Sequence, residues 1–176
     1  MRVSEYGLKT ILPPKNIWRP YLALKNNKNK EKIFKWFEKN YNLQKYLKAK
    51  KIVSLNFKKI EQELSITVEQ ILDLHNSQNF EVFLSFFGPG GSYKLPNIIT
   101  IRVLNHDDLN YSNVNITHEL IHLLVENKIQ KYNFSHHDKE LFVNSILFQP
   151  QIAKILKIKN EEIIKSKYYY SFRKYF

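Results

Sequence analysis

The stretch from residue 118 to residue 122 combines the residue types and the spacing that a metal-dependent reaction needs. It reads His-Glu-Leu-Ile-His. If residues 114–128 are helical, His118 and His122 lie one turn apart on the same face, where two imidazoles can bind one Zn²⁺. Glu119 lies beside them and can accept a proton from a metal-activated water. The motif therefore predicts a zinc site with Glu119 as its general base.

The residues around this motif indicate a buried helix. Between Val114 and Val125, Glu119 is the only residue with a formal charge. The helix therefore presents apolar or neutral side chains on most of its faces, as a metal-binding helix in a protein interior does. The alternative is a buried helix whose two histidines form ordinary hydrogen bonds.

A third ligand must come from outside the motif, because catalytic zinc usually has three protein ligands and one open position. The chain contains no cysteine, so this ligand has to be His, Asp or Glu. The metzincin continuation would need Gly and His where this chain has Val125 and Lys128. The remaining candidates are the acidic and histidine residues that follow the motif: Glu126, His136, His137, Asp138 and Glu140.

Glu140 is the best placed of these candidates. Ser135, with Asp138 three residues later, predicts the start of a second helix, and a short turn would bring that helix back across the first. Glu140 lies inside the second helix and would face the histidines, whereas Glu126 shares their helix and would converge poorly with them on one ion. Asn144, one turn after Glu140, could accept the outer N–H of a ligating histidine.

The ligand pattern resembles that of the gluzincin metallopeptidases. His118-Glu119-x-x-His122 is followed, on the next predicted helix, by Glu140. The spacing Glu140-x-x-x-Asn144 is also similar to that of the ImmA/IrrE-type metallopeptidases, whereas thermolysin-like members have Asp at that second position. The usual Gly after the Glu of the motif helix is absent, since Leu and Ile fill the motif. The resemblance implies His118, His122 and Glu140 as zinc ligands.

The resemblance extends over roughly residues 57–150. A helix, a strand, a glycine-rich turn, a second strand and the motif helix follow one another there, as in the short single-domain members, the minigluzincins. This order implies an α+β, zincin-like fold, with a small antiparallel or mixed sheet packed on a backing helix, the HExxH helix, and a C-terminal helix that carries the third ligand. It also implies peptide-bond hydrolysis, with the substrate strand bound along an edge strand supplied by residues 97–104.

Hydrophobic periodicity and turn signals place the remaining elements. Residues 105–113 read as a polar connection, in which Ser112 or Asn113 could cap the motif helix. A capping-box pattern at Thr67 could restart the second helix, and Asn160 could restart the last one. The predicted elements are helices over 31–50, 55–75, 114–128, 135–150 and 151–168, and strands over 80–87 and 97–104.

These elements divide the chain into three predicted parts. Residues 1–54 form a basic N-terminal segment that precedes the core or packs on it. Residues 55–150 form the zincin-like metallopeptidase core, and residues 151–176 form a helical extension with an aromatic, basic tail.

The formal net charge of +12 is the strongest compositional bias. The basic residues are mostly Lys, and Asn, Ile, Tyr and Phe are abundant, as an A/T-rich genome would encode. A polyanionic partner such as nucleic acid is the other explanation. No apolar run reaches about 18 residues, and the first residues lack a signal-peptide pattern, so we expect a cytoplasmic protein without membrane contact.

The favoured function is that of a zinc-dependent peptidase acting on a peptide or protein substrate. One alternative is a zinc-binding but non-catalytic sensor or binding module. Another is a basic, nucleic-acid-associated protein in which the motif is coincidental. Metal content, peptide hydrolysis and salt-dependent nucleic-acid binding separate these functions. The sequence leaves the oligomeric state open.

Overall fold

Six helices and one three-stranded sheet make up the described part of the computed structural model, which covers residues 31, 35, 38, 39, 41–74, 79–86, 90–103 and 105–159. This composition confirms the α+β class with a small mixed sheet. No helix in this part is long and apolar enough to cross a membrane. In chain order the elements are α1 (Leu43–Lys58), α2 (Glu61–Leu72), β1 (Glu81–Ser85), β2 (Gly91–Lys94), β3 (Ile98–Arg102), α3 (His106–Asn110), α4 (Ser112–Lys131), α5 (His136–Leu147) and α6 (Pro150–Leu156).

Strand β3 lies in the middle of the sheet, in the order β1-β3-β2. It pairs in parallel with β1 and antiparallel with β2. The prediction that residues 97–104 supply an edge strand is therefore wrong. The reason is that Gly91–Lys94, which follows a run of Gly and Pro and holds a single apolar side chain, forms a strand of its own. This short strand takes the edge that we had assigned to β3.

The helix predicted over residues 55–75 is interrupted, so that its first residues belong to α1 and the rest to α2. The break lies at Lys59 and Ile60, where the Ile60 backbone N–H donates to the carbonyl of Phe57 at 2.9 Å, and not at Thr67. Helix α1 runs through the predicted domain boundary at residue 54, and its Val53 is buried in the core. The division of the chain into three parts stays a prediction.

Helix α4 is central because it contributes to both hydrophobic clusters of the core. Ile116 and Leu123 pack with the buried β3 residues Ile99 and Ile101. Its residues at four-residue spacing, such as Ile121, instead face α2, α5 and α6, where the second cluster comprises Leu64, Val68, Leu72, Ile121, Val125, Ile129, Phe142, Val143, Ile146, Leu147 and Ile152. Burial of each such side chain stabilises the fold by about 1.5–3 kcal/mol. These contacts fix the rotation of α4 about its axis.

The predicted connection over 105–113 contains the short helix α3. The Asn105 side chain caps it by accepting the backbone N–H of Asp108 at 2.8 Å. The Asp108 carboxylate, in turn, accepts hydrogen bonds of 3.0–3.3 Å from the guanidinium of Arg102. This partly buried ion pair joins the end of β3 to the helix that leads into α4. Neither Ser112 nor Asn113 caps α4, whose N-cap residue is Tyr111.

Helix α5 begins where the sequence predicts. The Ser135 hydroxyl accepts the backbone N–H of Asp138 at 3.2 Å and donates to the Asp138 carboxylate at 2.7 Å. Asn133, at a positive φ of 48°, reverses the chain between α4 and α5. Helix α6 ends at Leu156, before the C-terminal limit that we predicted. The predicted restart at Asn160, the aromatic tail and residues 1–30 lie outside the described residues.

Candidate metal centre

The two motif histidines meet on one face of α4. They are four residues apart, and their Nε2 atoms lie 3.0 Å from each other. His122 is 2% exposed, whereas His118 lies closer to the surface. The helix predicted for residues 114–128 therefore exists, as Ser112–Lys131, and it brings both imidazoles together.

Glu140 reaches these histidines from α5. Its Oε2 lies 3.2 Å from Nε2 of His118, and its Oε1 lies 3.4 Å from Nε2 of His122. The turn between α4 and α5 positions the carboxylate, because it sends α5 back across α4. Taking one atom from each side chain, the group of His118, His122 and Glu140 lies within 4.8 Å, close enough to bind one metal ion.

The spacing of these three side chains fits a small divalent ion. Zinc binds histidine nitrogen and carboxylate oxygen at about 2.0–2.2 Å, so two ligands of a tetrahedral site lie about 3.3–3.5 Å apart. The closest contacts between pairs of these side chains are 3.0, 3.2 and 3.4 Å. Two imidazoles and one carboxylate are also a donor set that zinc commonly accepts.

The other candidates for the third ligand are either engaged in other hydrogen bonds or exposed. Glu126 uses its carboxylate to accept hydrogen bonds from Tyr93 and from Gln130. Asp138 belongs to the cap of α5. The side chain of His136 is 84% exposed and approaches Glu140 no closer than 3.9 Å. His137 is exposed as well.

The electrostatics of the group favour an ionised Glu140 beside an unprotonated His122. Hydrogen bonds from His118 and then from His122 hold the pKa of Glu140 well below its usual range. Burial lowers the pKa of His122, and the hydrogen bond that His122 donates to Glu140 opposes this shift. An unprotonated imidazole and an ionised carboxylate are the forms that bind a metal.

Glu119 lies next to this group of three side chains, but its carboxyl group is in a more buried environment than that of Glu140. It is 7% exposed, and burial raises its pKa to about 7, a rise that the nearby Glu140 carboxylate reinforces. Electrostatic interactions with His118 and with Lys139 act in the opposite direction. A buried carboxyl group beside a metal site is suited to accepting and returning a proton.

Gly91 at the start of β2 makes room for Glu119. A Cβ atom at Gly91 would collide with Oε1 of Glu119 and would lie 2.9 Å from its Cγ and 3.0 Å from its Cδ. The sequence analysis interpreted Gly91 as part of a turn and missed this contact. The available signal was a cluster of glycines between the two predicted strands, because a glycine permits a closer approach of another residue than any residue with a side chain does.

Tyr93, two residues further along β2, is the second site residue that the sequence analysis missed. Its ring stacks on the ring of His122, with centroids 4.9 Å apart and an interplanar angle of 11°. Its hydroxyl donates to Glu126 at 2.7 Å and accepts from the Lys139 ammonium group at 3.2 Å. Burial and the hydrogen bond to Glu126 raise the pKa of Tyr93, so that it keeps its proton.

Asn144 lies on α5 one turn after Glu140, as the sequence predicts. The Nδ1 atom of His122 is buried and has no hydrogen-bond partner among the described residues. Asn144 therefore does not orient His122 through that nitrogen, and its role toward the ligands stays a prediction.

Comparisons with known proteins found no relative of this chain. No family model, no curated protein and no solved structure matches the chain.

Proposed function

We propose that this protein is a zinc-dependent peptidase of the gluzincin type. The observation that carries the proposal is the convergence of His118 and His122 from α4 with Glu140 from α5, beside the buried carboxyl group of Glu119. These are the parts that metal-assisted peptide hydrolysis requires: three ligands and a base that is not a ligand. The zincin-like fold belongs to this proposal.

His118, His122 and Glu140 would hold the ion. When bound, zinc supplies a Lewis acid that polarises a carbonyl group and lowers the pKa of water. Glu119 accepts the proton of the attacking water and then donates it to the amine that leaves. Its tight packing against Gly91 limits the positions that its carboxyl group can take, which favours a single orientation for both transfers.

Strand β2 is our proposed binding site for the substrate backbone, in place of residues 97–104. Among the described residues, β2 pairs with β3 alone, and it packs against α4. The free edge of a strand can pair with an extended peptide through main-chain hydrogen bonds. Gly91 and Tyr93 contact the motif residues from this strand, so a peptide paired with it would pass beside Glu119.

The Glu119→Gln variant tests this function. The amide keeps the size of the side chain but accepts no proton, so hydrolysis of a peptide mixture should fall by about 100-fold or more while zinc content stays the same. Cleavage is followed by mass spectrometry after zinc loading at neutral pH. Glu63→Gln, the same change at an exposed position of α2, is the control and should retain full activity.

Two outcomes would contradict the proposal. Equal cleavage by wild type and Glu119→Gln would remove Glu119 from the mechanism. A wild-type protein that binds zinc but cleaves no peptide of a diverse mixture would instead have the properties of the non-catalytic sensor.

A further inference from the structure

We propose that Tyr93 is a positioning residue that fixes the ring of His122 by stacking, in place of the hydrogen bond that usually orients a ligating histidine. The inference rests on the metal site of the proposed function. It assigns a role to a strand residue outside both the motif and the third-ligand helix.

The surroundings of His122 are the first observation. A ligating histidine ordinarily donates its outer N–H to a carboxylate, carbonyl or water, and that bond sets the ring orientation. If Nε2 of His122 faces the metal, as its contacts with His118 and Glu140 indicate, Nδ1 is the outer nitrogen. This Nδ1 is buried without a hydrogen-bond partner among the described residues. Some other contact must therefore orient the ring.

The ring of Tyr93 supplies that contact. It lies almost parallel to the imidazole of His122, at a centroid separation of 4.9 Å and an angle of 11°. A flat neighbour at this distance opposes tilting of the imidazole, because tilting would bring the two rings into collision or would open a gap between them.

Tyr93 is itself held from both sides of the site. Its hydroxyl donates to Glu126, which lies on α4 one turn after His122. The same oxygen accepts from Lys139, the residue before Glu140 on α5. The Tyr93 side chain thus joins β2 to both helices that carry the ligands, and its ring has little freedom to move away from His122.

The pleat of β2 explains why Tyr93 and Gly91 both face α4. Residues two apart on a strand point to the same side of the sheet. Gly91 contacts Glu119, and Tyr93 contacts His122. A four-residue strand therefore positions the base with one residue and a ligand with the other.

Two variants of Tyr93 and one control test the inference by competition of Zn²⁺ with a chromophoric chelator at neutral pH. Tyr93→Leu removes the flat ring and should weaken zinc binding about tenfold or more, the effect typical of contacts that orient a ligand. Tyr93→Phe keeps the flat ring but loses the two hydrogen bonds that hold it, so its affinity for zinc should fall between those of wild type and Tyr93→Leu. Tyr132→Leu removes a tyrosine that stacks on Phe134 at 5.9 Å, beyond the C-terminal end of α4, and should not change zinc binding.

Two results would overturn the inference. Tyr93→Leu could bind zinc as tightly as wild type, in which case the stack does not orient the ligand. Tyr93→Phe could lose as much affinity as Tyr93→Leu, in which case the hydroxyl and not the ring acts. The visible spectrum of the Co²⁺-loaded proteins checks the cause, since a reoriented ligand changes the spectrum and a merely less stable fold does not.

A metal-free measurement keeps this inference separate from the proposed function. Nuclear Overhauser effects between the ring protons of Tyr93 and His122 should be present in the wild-type protein without zinc, because the packing of β2 on α4, and not a metal, brings the two rings together. Their absence would overturn the inference even if the protein proved to be a peptidase. Their presence, with the affinities above, would support it even if no peptide were cleaved.

Discussion

At the scale of single residues, Glu140 decides which kind of metal site this group of side chains can form. Its carboxylate lies 3.2 and 3.4 Å from the two imidazoles, whereas His136 approaches this carboxylate only to 3.9 Å. A site of two histidines and one glutamate differs from a three-histidine site in charge. The carboxylate gives a net charge of about +1 with a divalent ion, and three histidines would leave +2.

Replacement of Glu140 should change the affinity for zinc. Glu140→Ala should weaken zinc binding by about tenfold or more, because one of three ligands is lost and the two histidines keep no negative partner. His136→Ala should leave the affinity nearly unchanged, since that side chain is 84% exposed. Equilibrium dialysis with zinc measures both. Loss of the metal in His136→Ala, with retention in Glu140→Ala, would show that the third ligand is a histidine.

The grouping of His118, His122 and Glu140 could be predicted from sequence because their positions follow from helix geometry. The four-residue spacing of His118 and His122 requires nothing beyond a helix. Glu140 requires in addition one reversal of the chain, which the Ser135 cap indicates. Tyr93 could not be found in this way, because its contact with His122 depends on how a strand packs across α4, and no local pattern encodes that distance.

At the scale of elements, β2 is the part of the fold that the sequence analysis missed. A four-residue strand with a glycine at its start and a lysine at its end has almost no hydrophobic alternation, so the pattern predicts a turn. Strand β2 forms because it pairs with β3, and this pairing is a tertiary effect. The same omission led to the wrong assignment of β3 as the edge strand.

The close approach of β2 and α4 can be tested at Gly91. In Gly91→Ala the new Cβ would lie 2.9–3.0 Å from Cγ and Cδ of Glu119, so the carboxyl group must shift. If the protein is the proposed peptidase, a displacement of about 1 Å can reduce its rate about 100-fold, so we expect a loss of peptide hydrolysis of that order with zinc binding retained.

Gly90→Ala is the matched control for that variant. A Cβ atom at Gly90 would meet no other atom within 4 Å, so activity should stay at the wild-type level. If both variants hydrolyse peptides equally well, the contact between Gly91 and Glu119 has no role in the reaction.

At the scale of the whole molecule, the charge of the chain bears on how a metal measurement is interpreted. The net charge of +12 repels cations in general, so zinc should not accumulate on the surface through charge alone. Across the described ranges, His118, His122 and Glu140 form the one group of three or more metal-binding side chains. Binding of zinc in a fixed ratio would therefore point to this group.

The positions of His118, His122 and Glu140 depend on how the hydrophobic core packs. The ligands come from α4 and α5, and the helices are held together by the second hydrophobic cluster, in which Ile121 and Phe142 are fully buried. The distances between the ligands are thus set by packing that surrounds the site, and not by a flexible loop. A site preformed in this way binds metal without first ordering the chain.

The number of zinc ions per chain is the measurement that tests the central claim most directly. Purified protein, stripped of metal and then titrated with zinc at neutral pH, should bind one ion per chain, because the described residues hold one group of three side chains that can act as ligands. The combined variant His118→Ala, His122→Ala should bind none. Wild-type protein that binds no zinc under these conditions, or that binds as much as the double variant, would contradict the metal site and with it the proposed peptidase.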